Sequence, residues 1–273
     1  MGRLSIHARK DLMDGVRTRQ LPVTVVVFAV VGFGIGYIVG GAIGSRASVL
    51  AATLLGALLF LGPLIGIYLS YSVIVSKRES GELKVLLGLP FSRAEIVFGA
   101  VLGRVAILGL SVTAAVLAGV IGGALTGGMP AAPQILSLLG FGLAMMVVFV
   151  SIGVGISANC RHSSRAAGLA FLAFVLFGFR VWELLPQLID VILVQLSLPR
   201  LPPAAIDLYL QATPHAALRN VVELLRPELV SSFQPFVGAP PASPLLGVTV
   251  FAGWLIGPLA IAYYRFGTAD LAG

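Results

Sequence analysis

Apolar positions along the 273-residue chain gather into six long runs that contain few charges. An α-helix needs roughly 20 apolar residues to cross a hydrocarbon core about 30 Å thick, and each run reaches that length. The pattern therefore predicts six membrane-spanning helices. They fall at residues 21–43, 49–75, 97–126, 135–159, 166–185 and 245–264.

Composition agrees with this pattern and indicates the fold class. Hydrophobic residues make up 58% of the chain, charged residues make up 11%, and the mean hydropathy is +1.02. These values exclude a water-soluble domain of this size. The chain is predicted to be an all-α polytopic membrane protein, in which a segment at residues 1–20 precedes a six-span domain at residues 21–273.

The net charge of +7 is informative through its distribution. If the spans alternate in direction, 12 of the 18 Lys and Arg residues lie on one side of the membrane. Basic residues concentrate in cytoplasmic loops, so both termini are predicted to be cytoplasmic and the protein to lie in the cytoplasmic membrane. The same distribution argues against nucleic-acid binding. The single Cys160 excludes an intrachain disulfide, and with His162 it supplies too few ligands for a metal site.

The first 20 residues predict an amphipathic helix. One apolar stripe repeats every four residues, at Leu4, Ala8, Leu12 and Val16. The basic positions of the segment include Arg9, Lys10, Arg17 and Arg19. Such a helix lies in the membrane interface with its cations toward the lipid headgroups. The pattern is equally compatible with a simple anchor and with a role in partner binding.

Two spans carry small residues at four-residue spacing. In the first span the repeat consists of Gly32, Gly36, Gly40 and Gly44. In the second span it consists of Gly62, Gly66 and Ser70, next to Pro63, which is expected to kink the helix. Such stripes let another helix backbone approach closely, so both are predicted to be packing seams. A glycine-rich phosphate loop competes with this interpretation in the first span, but the soluble strand and helix that it requires are missing.

The loop between the second and third spans, residues 76–93, has the densest mixture of charges in the chain. Ser76 with Glu79 forms the pattern of a capping box, which marks a helix start. Ser92 with Glu95 forms a second such pattern at the start of the third span. The sequence thus predicts two helix starts within one short loop.

A short helix is predicted at residues 77–89, because Pro90 ends the segment that follows the first of these starts. Its apolar face consists of Leu83, Leu86 and Leu87. A helix of this kind suits a groove on a partner protein. The alternative is a solvated turn that only connects two spans.

The same loop resembles a known family. Its sequence from residue 79 to residue 93 follows the pattern E-x-G-x-L-x-x-L-L-x-x-P-x-S-R. This is similar to the signature of ABC-2 type transporter permeases, and especially of the branch that serves nitrous oxide reductase maturation. The basic amino-terminal segment is similar to that of the same proteins. The residues that carry the resemblance in the loop are Glu79, Gly81, Leu83, Leu86, Leu87, Pro90, Ser92 and Arg93.

The resemblance implies a membrane subunit of an exporter that pairs with a second copy or a homologue and rests on two separate ATPase subunits. Residues 79–89, with Glu82 among them, would be the coupling helix, and residues 1–20 the elbow helix. ATP and Mg²⁺ would bind the partner ATPase, so this chain would hold no cofactor and would not be an enzyme. In agreement, none of its three lysines lies in a G-x-x-x-x-G-K-[ST] motif. The cargo is not readable from the sequence.

The segment between the fifth and sixth spans, residues 186–244, is predicted to lie outside the membrane. Residues 187–198 are apolar but too short to span alone, so they either extend the fifth span or re-enter the membrane. Thr213 and Pro214 predict the start of a helix that ends before Pro227. This helix either rests on the outer interface or gates an exit path.

Two charged residues in the fifth predicted span are three positions apart. Arg180 and Glu183 share one face of a helix, so a structural ion pair is predicted. The alternative is a contact with cargo, because charges inside a membrane often mark transport paths.

Two other classes of protein also have six spans. An ion-coupled secondary transporter, the main alternative, is expected to have inverted repeats and acidic residues near the midplane. The sequence shows no internal repeat and no acid within its first four spans. An intramembrane protease needs a nucleophile and a base that face each other. The last span has no histidine, and His215 lies in the segment outside the membrane.

Overall fold

The computed structural model describes residues 13, 15, 17–43, 47–88, 92–235, 237–238 and 241–268. Within these ranges its regular structure consists of helices, without a strand. Five of the helices are long and apolar enough to cross a membrane, and a bent pair makes a sixth if it is counted as one span. The predicted class, an all-α polytopic membrane protein, is confirmed.

The first, third, fourth and last long helices are α1 (Gln20–Ile43), α6 (Arg93–Thr126), α7 (Ala132–Asn159) and α12 (Pro244–Thr268). The second span is built from α2 (Ala47–Leu61), a π-helical turn (Gly62–Gly66), α3 (Ile67–Ser70) and α4 (Val75–Glu79). The charged loop contains α5 (Glu82–Gly88). The remaining elements are α8 (Ser163–Gly178), α9 (Val181–Gln195), α10 (Pro203–Gln211), α11 (Pro214–Leu225) and a 3₁₀-helix (Pro227–Phe233). We call the end of the bundle that carries α5 the loop end, and the opposite end the far end.

Helices α1 and α6 run side by side in the same direction, with small residues between them. The facing pairs are Gly32 with Ala115, Gly36 with Gly119, and Gly40 with Gly123. A Cβ atom added to Gly32 or Gly36 would collide with the carbonyl oxygen of the facing residue. The two backbones can approach this closely only because these side chains are missing. Gly44, the fourth residue of the predicted seam, lies outside the described residues.

The second span and α7 form another pair of parallel neighbours. A Cβ on Gly66 would lie 3.0 Å from the Cβ of Phe149, and one on Gly153 would lie 2.7 Å from the Cβ of Ser70. Of the small residues of the second span, Gly66 therefore faces the large side chain of Phe149, and Ser70, one turn further, faces Gly153 of α7. The two pairs of spans make up the centre of the bundle.

Pro63 changes the helix of the second span from α to π at residues 62–66. In an α-helix the N–H group of residue 63 would bond to the carbonyl of Leu59, but proline has no N–H group. The Leu59 carbonyl instead accepts a hydrogen bond from Nε2 of His215, at 3.2 Å. His215 is 1% exposed and its ring also packs on Phe149. A residue of the segment between the last two spans thus completes the backbone bonding of the second span.

The fifth predicted span, residues 166–185, is interrupted. Helix α8 ends at Gly178, and α9 leaves it at an angle of 81°. Arg180, between them, has a left-handed φ of 58°, which ends the helix. The predicted span is therefore interrupted at residues 179–180, and α9, which includes residues 187–195, does not continue it in a straight line. The sequence pattern missed this break because the apolar run continues through it.

The predicted ion pair between Arg180 and Glu183 is present. Glu183 also accepts a hydrogen bond from the N–H group of Gly238, at 2.7 Å. The guanidinium of Arg180 donates to the carbonyl of Gln234, at 3.4 Å. The pair therefore joins the start of α9 to the chain that follows the 3₁₀-helix.

Helix α11 begins and ends as predicted. Thr213 caps it by accepting a hydrogen bond from the N–H group of Ala216, and the helix stops at Leu225, before Pro227. Most of the helix is buried against α12, α7 and the 3₁₀-helix. An amphipathic pattern does not distinguish a lipid surface from a protein groove, so this packing could not be predicted from it.

The packing of α1 on α6 predicts a large effect of one substitution. Gly36→Leu should destabilise the protein by about 3 kcal/mol, because the new side chain has to push a backbone aside. Gly34→Leu is the matched control, since nothing lies within 4 Å of a Cβ atom at that position. The temperature at which a maleimide labels the buried Cys160 measures unfolding of the detergent-solubilised protein. Equal labelling temperatures for the two variants would contradict the packing.

Burial lowers the pKa of His215 to about 4, because the neutral ring is favoured inside the fold. Since the pKa of an unfolded histidine is near 6.5, His215 stabilises the fold fully above that pH and loses the contribution as pH falls toward 4. The loss should reach on the order of 3 kcal/mol. In His215→Gln the amide still donates to Leu59 but does not titrate, so this part of the pH dependence should disappear. Parallel stability curves of the two proteins between pH 7 and pH 4 would contradict the assignment.

Candidate functional site

The charged loop is folded as two helices joined at a glycine. Helix α4 ends at Glu79, and α5 begins at Glu82. Between them Gly81 has a φ of 76°, which L-residues with side chains rarely adopt. The single helix predicted at residues 77–89 is therefore wrong in its first part. Two helices divided by a left-handed glycine can point in different directions, which a single helix cannot.

One of the two predicted capping boxes is present. The hydroxyl of Ser92 accepts from the N–H group of Glu95 at 3.2 Å, and the N–H group of Ser92 donates to the Glu95 carboxylate at 2.7 Å. The other prediction is wrong, because Ser76 lies inside the helix and its hydroxyl donates to the carbonyl of Ser72. Its proposed partner Glu79 has a different role.

Glu79 caps a helix that lies 84 positions further along the chain. Its carboxylate accepts a hydrogen bond from the N–H group of Ser163, the first residue of α8, at 2.9 Å, and a second from the Ser163 hydroxyl. His162, which precedes α8, has no capping hydrogen bond of its own from its side chain. A carboxylate at a helix start also interacts favourably with the helix dipole. The end of the second span therefore holds the start of the fifth.

Arg78 performs the complementary role at the end of α7. Its guanidinium donates to the carbonyls of Ala158, at 3.2 Å, and of Cys160. The last carbonyls of a helix have no partner within the helix, and a cation there interacts favourably with the dipole. Two consecutive residues of α4 thus bind the end of one helix and the start of the next.

The turn at residues 71–74 separates α3 from α4, so two N–H groups lose their partners within the helix. Those of Ile74 and Val75 donate to the hydroxyl of Ser157, at 2.9 and 3.1 Å. Ser157 belongs to α7 and is fully buried. We call the contacts made by Ser157, Arg78 and Glu79 the junction. It joins the second, fourth and fifth spans at the loop end.

Helix α5 is attached to the bundle by its leucines. Leu83 and Leu86 are 1% and 6% exposed and pack into the hydrophobic core of this chain. Val85, between them, is 68% exposed. Leu83 and Leu86 are therefore occupied by contacts within the chain itself, whereas Val85 is open to the surroundings.

Several predicted site residues cannot be compared with the structure. Arg9, Lys10 and Pro90 lie outside the described residues, as do the side chains of Leu87 and Arg93. Arg17 and Arg19 are described and exposed. Arg19 has a left-handed φ of 61° directly before α1.

A cavity of about 220 Å³ lies between the second span and α8. It is lined by Leu64, Ile67, Tyr68, Tyr71, Ala167, Ala170, Phe171 and Phe174. These residues of α8 lie within its first 12 positions, about 18 Å from the loop end. Toward the far end, Phe174 packs on Phe60 and Phe179, with ring centroids 6.2 and 5.3 Å apart. The cavity therefore belongs to the half of the bundle next to the junction.

Comparison of this chain with known proteins identifies its family. Residues 6–271 match the model of the family described as "ABC-2 family transporter protein". The chain belongs to the ABC-2 family. It is therefore a permease subunit of an ABC transporter and a multi-pass membrane protein, as the resemblance of the charged loop indicated.

Two relatives carry the name "Probable ABC transporter permease protein NosY". The protein from Pseudomonas aeruginosa is 29% identical over 263 residues, which cover 91% of this chain and 90% of the relative. The protein from Stutzerimonas stutzeri is 34% identical over 182 residues, which cover 62% of this chain and 64% of the relative. The predicted resemblance to ABC-2 type permeases is confirmed.

Sequence reasoning found Glu79 through the family signature, but it missed the partners of the junction. Ser157 lies in an apolar run, where a serine commonly bonds only to its own helix. Ser163 follows His162 in a segment whose residue types suggest only a metal site. Contacts across more than 80 positions leave no periodic signal in the sequence. The only available hint of a role for Ser157 and Ser163 is that each lies near the end of a predicted span.

The junction predicts opposite outcomes for two buried serines of α7. Ser157→Ala should destabilise the protein by about 1–3 kcal/mol, because two buried N–H groups of the second span lose their acceptor. Ser151→Ala should change little, since the Ser151 hydroxyl bonds only to Val147 of its own helix. Thermal unfolding followed by tryptophan fluorescence measures both. An unchanged unfolding temperature for Ser157→Ala would show that the junction does not need this hydroxyl.

Proposed function

We propose that the chain is the membrane-spanning subunit of an ATP-driven exporter, and that it works with a second permease copy and two ATPase subunits. ATP and Mg²⁺ bind the ATPase subunits, and this chain holds no cofactor. The observation that carries the proposal is the junction. It connects the helix α5, which offers an uncovered face, to the spans that border the cavity.

The exposed face of α5 is the proposed docking site of the ATPase. Leu83 and Leu86 anchor α5 to its own chain. Their proposed role is to keep α5 attached to the rest of the permease when it moves, and not to contact the ATPase. Val85 is apolar and 68% exposed, and Glu82 and Lys84 stand close to it in the sequence. An exposed apolar side chain can serve as the anchor that a partner buries in a protein contact. Glu82 at the start of α5, and Pro90, Ser92 and Arg93 beyond it, border this surface in the sequence.

The proposed transmission runs from α5 through Gly81 to α4. Closure of the ATPase subunits on ATP would displace α5, and Gly81 would set the direction in which α4 follows. Glu79 and Arg78 would pass the displacement to the start of α8 and the end of α7. Because α8 forms one wall of the cavity, its displacement would change the cavity volume. Rigid elements that pivot about small hinges are a common mode of such transitions.

Export, rather than import, is supported by the place of the cavity. The basic residues of the chain favour a cytoplasmic location for the loop end and for both termini. The cavity lies in that half of the bundle, while the aromatic cluster around Phe174 closes it toward the far end. A cargo would therefore enter from the cytoplasmic half. The proposed location of the protein is the cytoplasmic membrane.

A second permease copy is supported by the open side of the cavity. Phe171, which lines it, is 68% exposed, and its neighbour Leu172 is 51% exposed. A subunit of the same kind could cover this side and enlarge the cavity to a path between two copies. The amino-terminal residues, with Arg9, Lys10, Arg17 and Arg19, are proposed as the elbow helix that anchors each copy in the interface.

The proposal predicts that Val85→Glu disrupts the docking of the ATPase. The tagged chain is purified from native membranes in mild detergent, and the ATP hydrolysis that co-purifies is measured. The variant should lose at least about 90% of it, because a charge in the centre of an apolar contact costs well over 1.4 kcal/mol. Met129→Glu is the matched control, since Met129 is 61% exposed on a loop at the far end.

The outcomes separate the proposal from its rivals. A chain that purifies with no nucleotide-hydrolysing subunit and transports as a single protein would support a secondary transporter instead. A Val85→Glu variant that retains its ATPase would move the docking site elsewhere. Loss of the ATPase from both variants would mean that a new carboxylate impairs the fold in general.

A further inference from the structure

A second and larger cavity lies at the far end of the bundle. Its volume is about 680 Å³, which is in the range of small-molecule and lipid sites. It runs between α7, α11 and α12 and opens toward the outside of the bundle. One wall is a stripe of α7 with helical spacing, formed by Pro133, Leu136, Ser137, Gly140, Phe141 and Ala144.

We propose that this groove holds one phospholipid molecule, with an acyl chain along α7 and the phosphate at Arg226. The stripe from residue 133 to residue 144 is about 16 Å long at a rise of 1.5 Å per residue. This is close to half of a hydrocarbon core about 30 Å thick, which is the depth of one leaflet. The groove thus has the length of a single acyl chain that starts at the far surface.

The polar groups of the groove are at the end where a headgroup would lie. Arg226 follows the last residue of α11, and its Nε donates to the hydroxyl of Ser137 at 3.1 Å. Its NH1 lies 3.9 Å from the carboxylate of Glu228, which is too long for a hydrogen bond. The guanidinium therefore retains donors that can face a phosphate, with which arginine forms charge-assisted hydrogen bonds. Deeper in the groove the walls are apolar, down to Ala144 and Leu255.

Small residues keep the groove open. A Cβ atom added to Gly140 would have no neighbour within 4 Å, so this glycine faces empty space rather than another helix. This distinguishes it from Gly32 and Gly36, which are packed against backbone. Ala144 and Ala252 line the groove with short side chains on two of its walls. An apolar space of this size beside the membrane would be filled by the lipid that surrounds it.

A phospholipid fits the groove better than a second copy of the chain does. A helix of another copy would bury the ion pair of Arg226 and Glu228 against apolar side chains, and removing two charges from water is costly. A lipid phosphate instead adds a hydrogen-bonded counter-charge to the cation, at the level where headgroups begin. The inference does not depend on the direction of transport or on the ATPase.

Native mass spectrometry of the purified complex tests the proposal. The protein, with the subunits that co-purify, is titrated with phosphatidylglycerol and with diacylglycerol of the same chains. One phosphatidylglycerol should bind per copy of the chain with higher affinity than diacylglycerol. Arg226→Gln should weaken phosphatidylglycerol binding about tenfold, the effect of one charge-assisted hydrogen bond, and leave diacylglycerol binding unchanged. Gly140→Leu should abolish the specific binding of both, because its side chain fills the groove.

Two control variants have the same chemistry outside the groove. Gly253→Leu places a leucine in open space on α12, next to the lining residue Ala252. Arg200→Gln removes an exposed cation that does not line the groove. Both should bind phosphatidylglycerol like the unmodified protein. Undiminished binding by Gly140→Leu would overturn the proposal. So would an efficient disulfide between two copies through Ala252→Cys in a Cys160→Ser background, since it would place a second permease in the groove.

Discussion

Backbone hydrogen bonding inside the membrane is the constraint on which this structure depends, and the second span is where it is hardest to satisfy. A backbone group without a partner costs roughly several kcal/mol in hydrocarbon. The second span interrupts its helix twice, at Pro63 and at residues 71–74. His215 binds the carbonyl of Leu59 beside the first interruption, and Ser157 accepts the two N–H groups freed at the second. Side chains from α11 and α7 thus supply the hydrogen bonds that the second span lacks. These bonds also attach α11 and α7 to the second span.

The helices of the bundle differ in how closely they pack. The glycine seams bring α1 against α6, and the second span against α7, at distances that leave no room for larger side chains. Between the second span and α8 there is instead a cavity. Helix α8 is held to the second span chiefly at its start, through Glu79. In a family whose members are driven by a partner, the wall of the cavity is thus the part of the bundle that a displacement at the loop end would move first.

The parts that could be predicted from the sequence are those in which the signal is local. Spans follow from runs of apolar residues, the Ser92–Glu95 capping box from a spacing of three, and the seam of α1 from a spacing of four. The break at Arg180 and the burial of α11 could not be predicted, because an apolar run and an amphipathic pattern do not say what they pack against. Glu79 was recognised through a family signature, yet its partner Ser163 lies 84 positions away and leaves no pattern. The junction was therefore visible only in the folded chain.

The central claim is that the junction moves as one unit, and distances between spin labels test it most directly. In a Cys160→Ser background, labels at the exposed residues Ser80 and Arg161 report the separation of the end of α4 from the start of α8 within one copy. A label at Arg161 alone reports the separation of two copies. The account predicts that ATP changes the distance between copies and leaves the distance within a copy unchanged. A nucleotide-dependent change within a copy, with no change between copies, would contradict it.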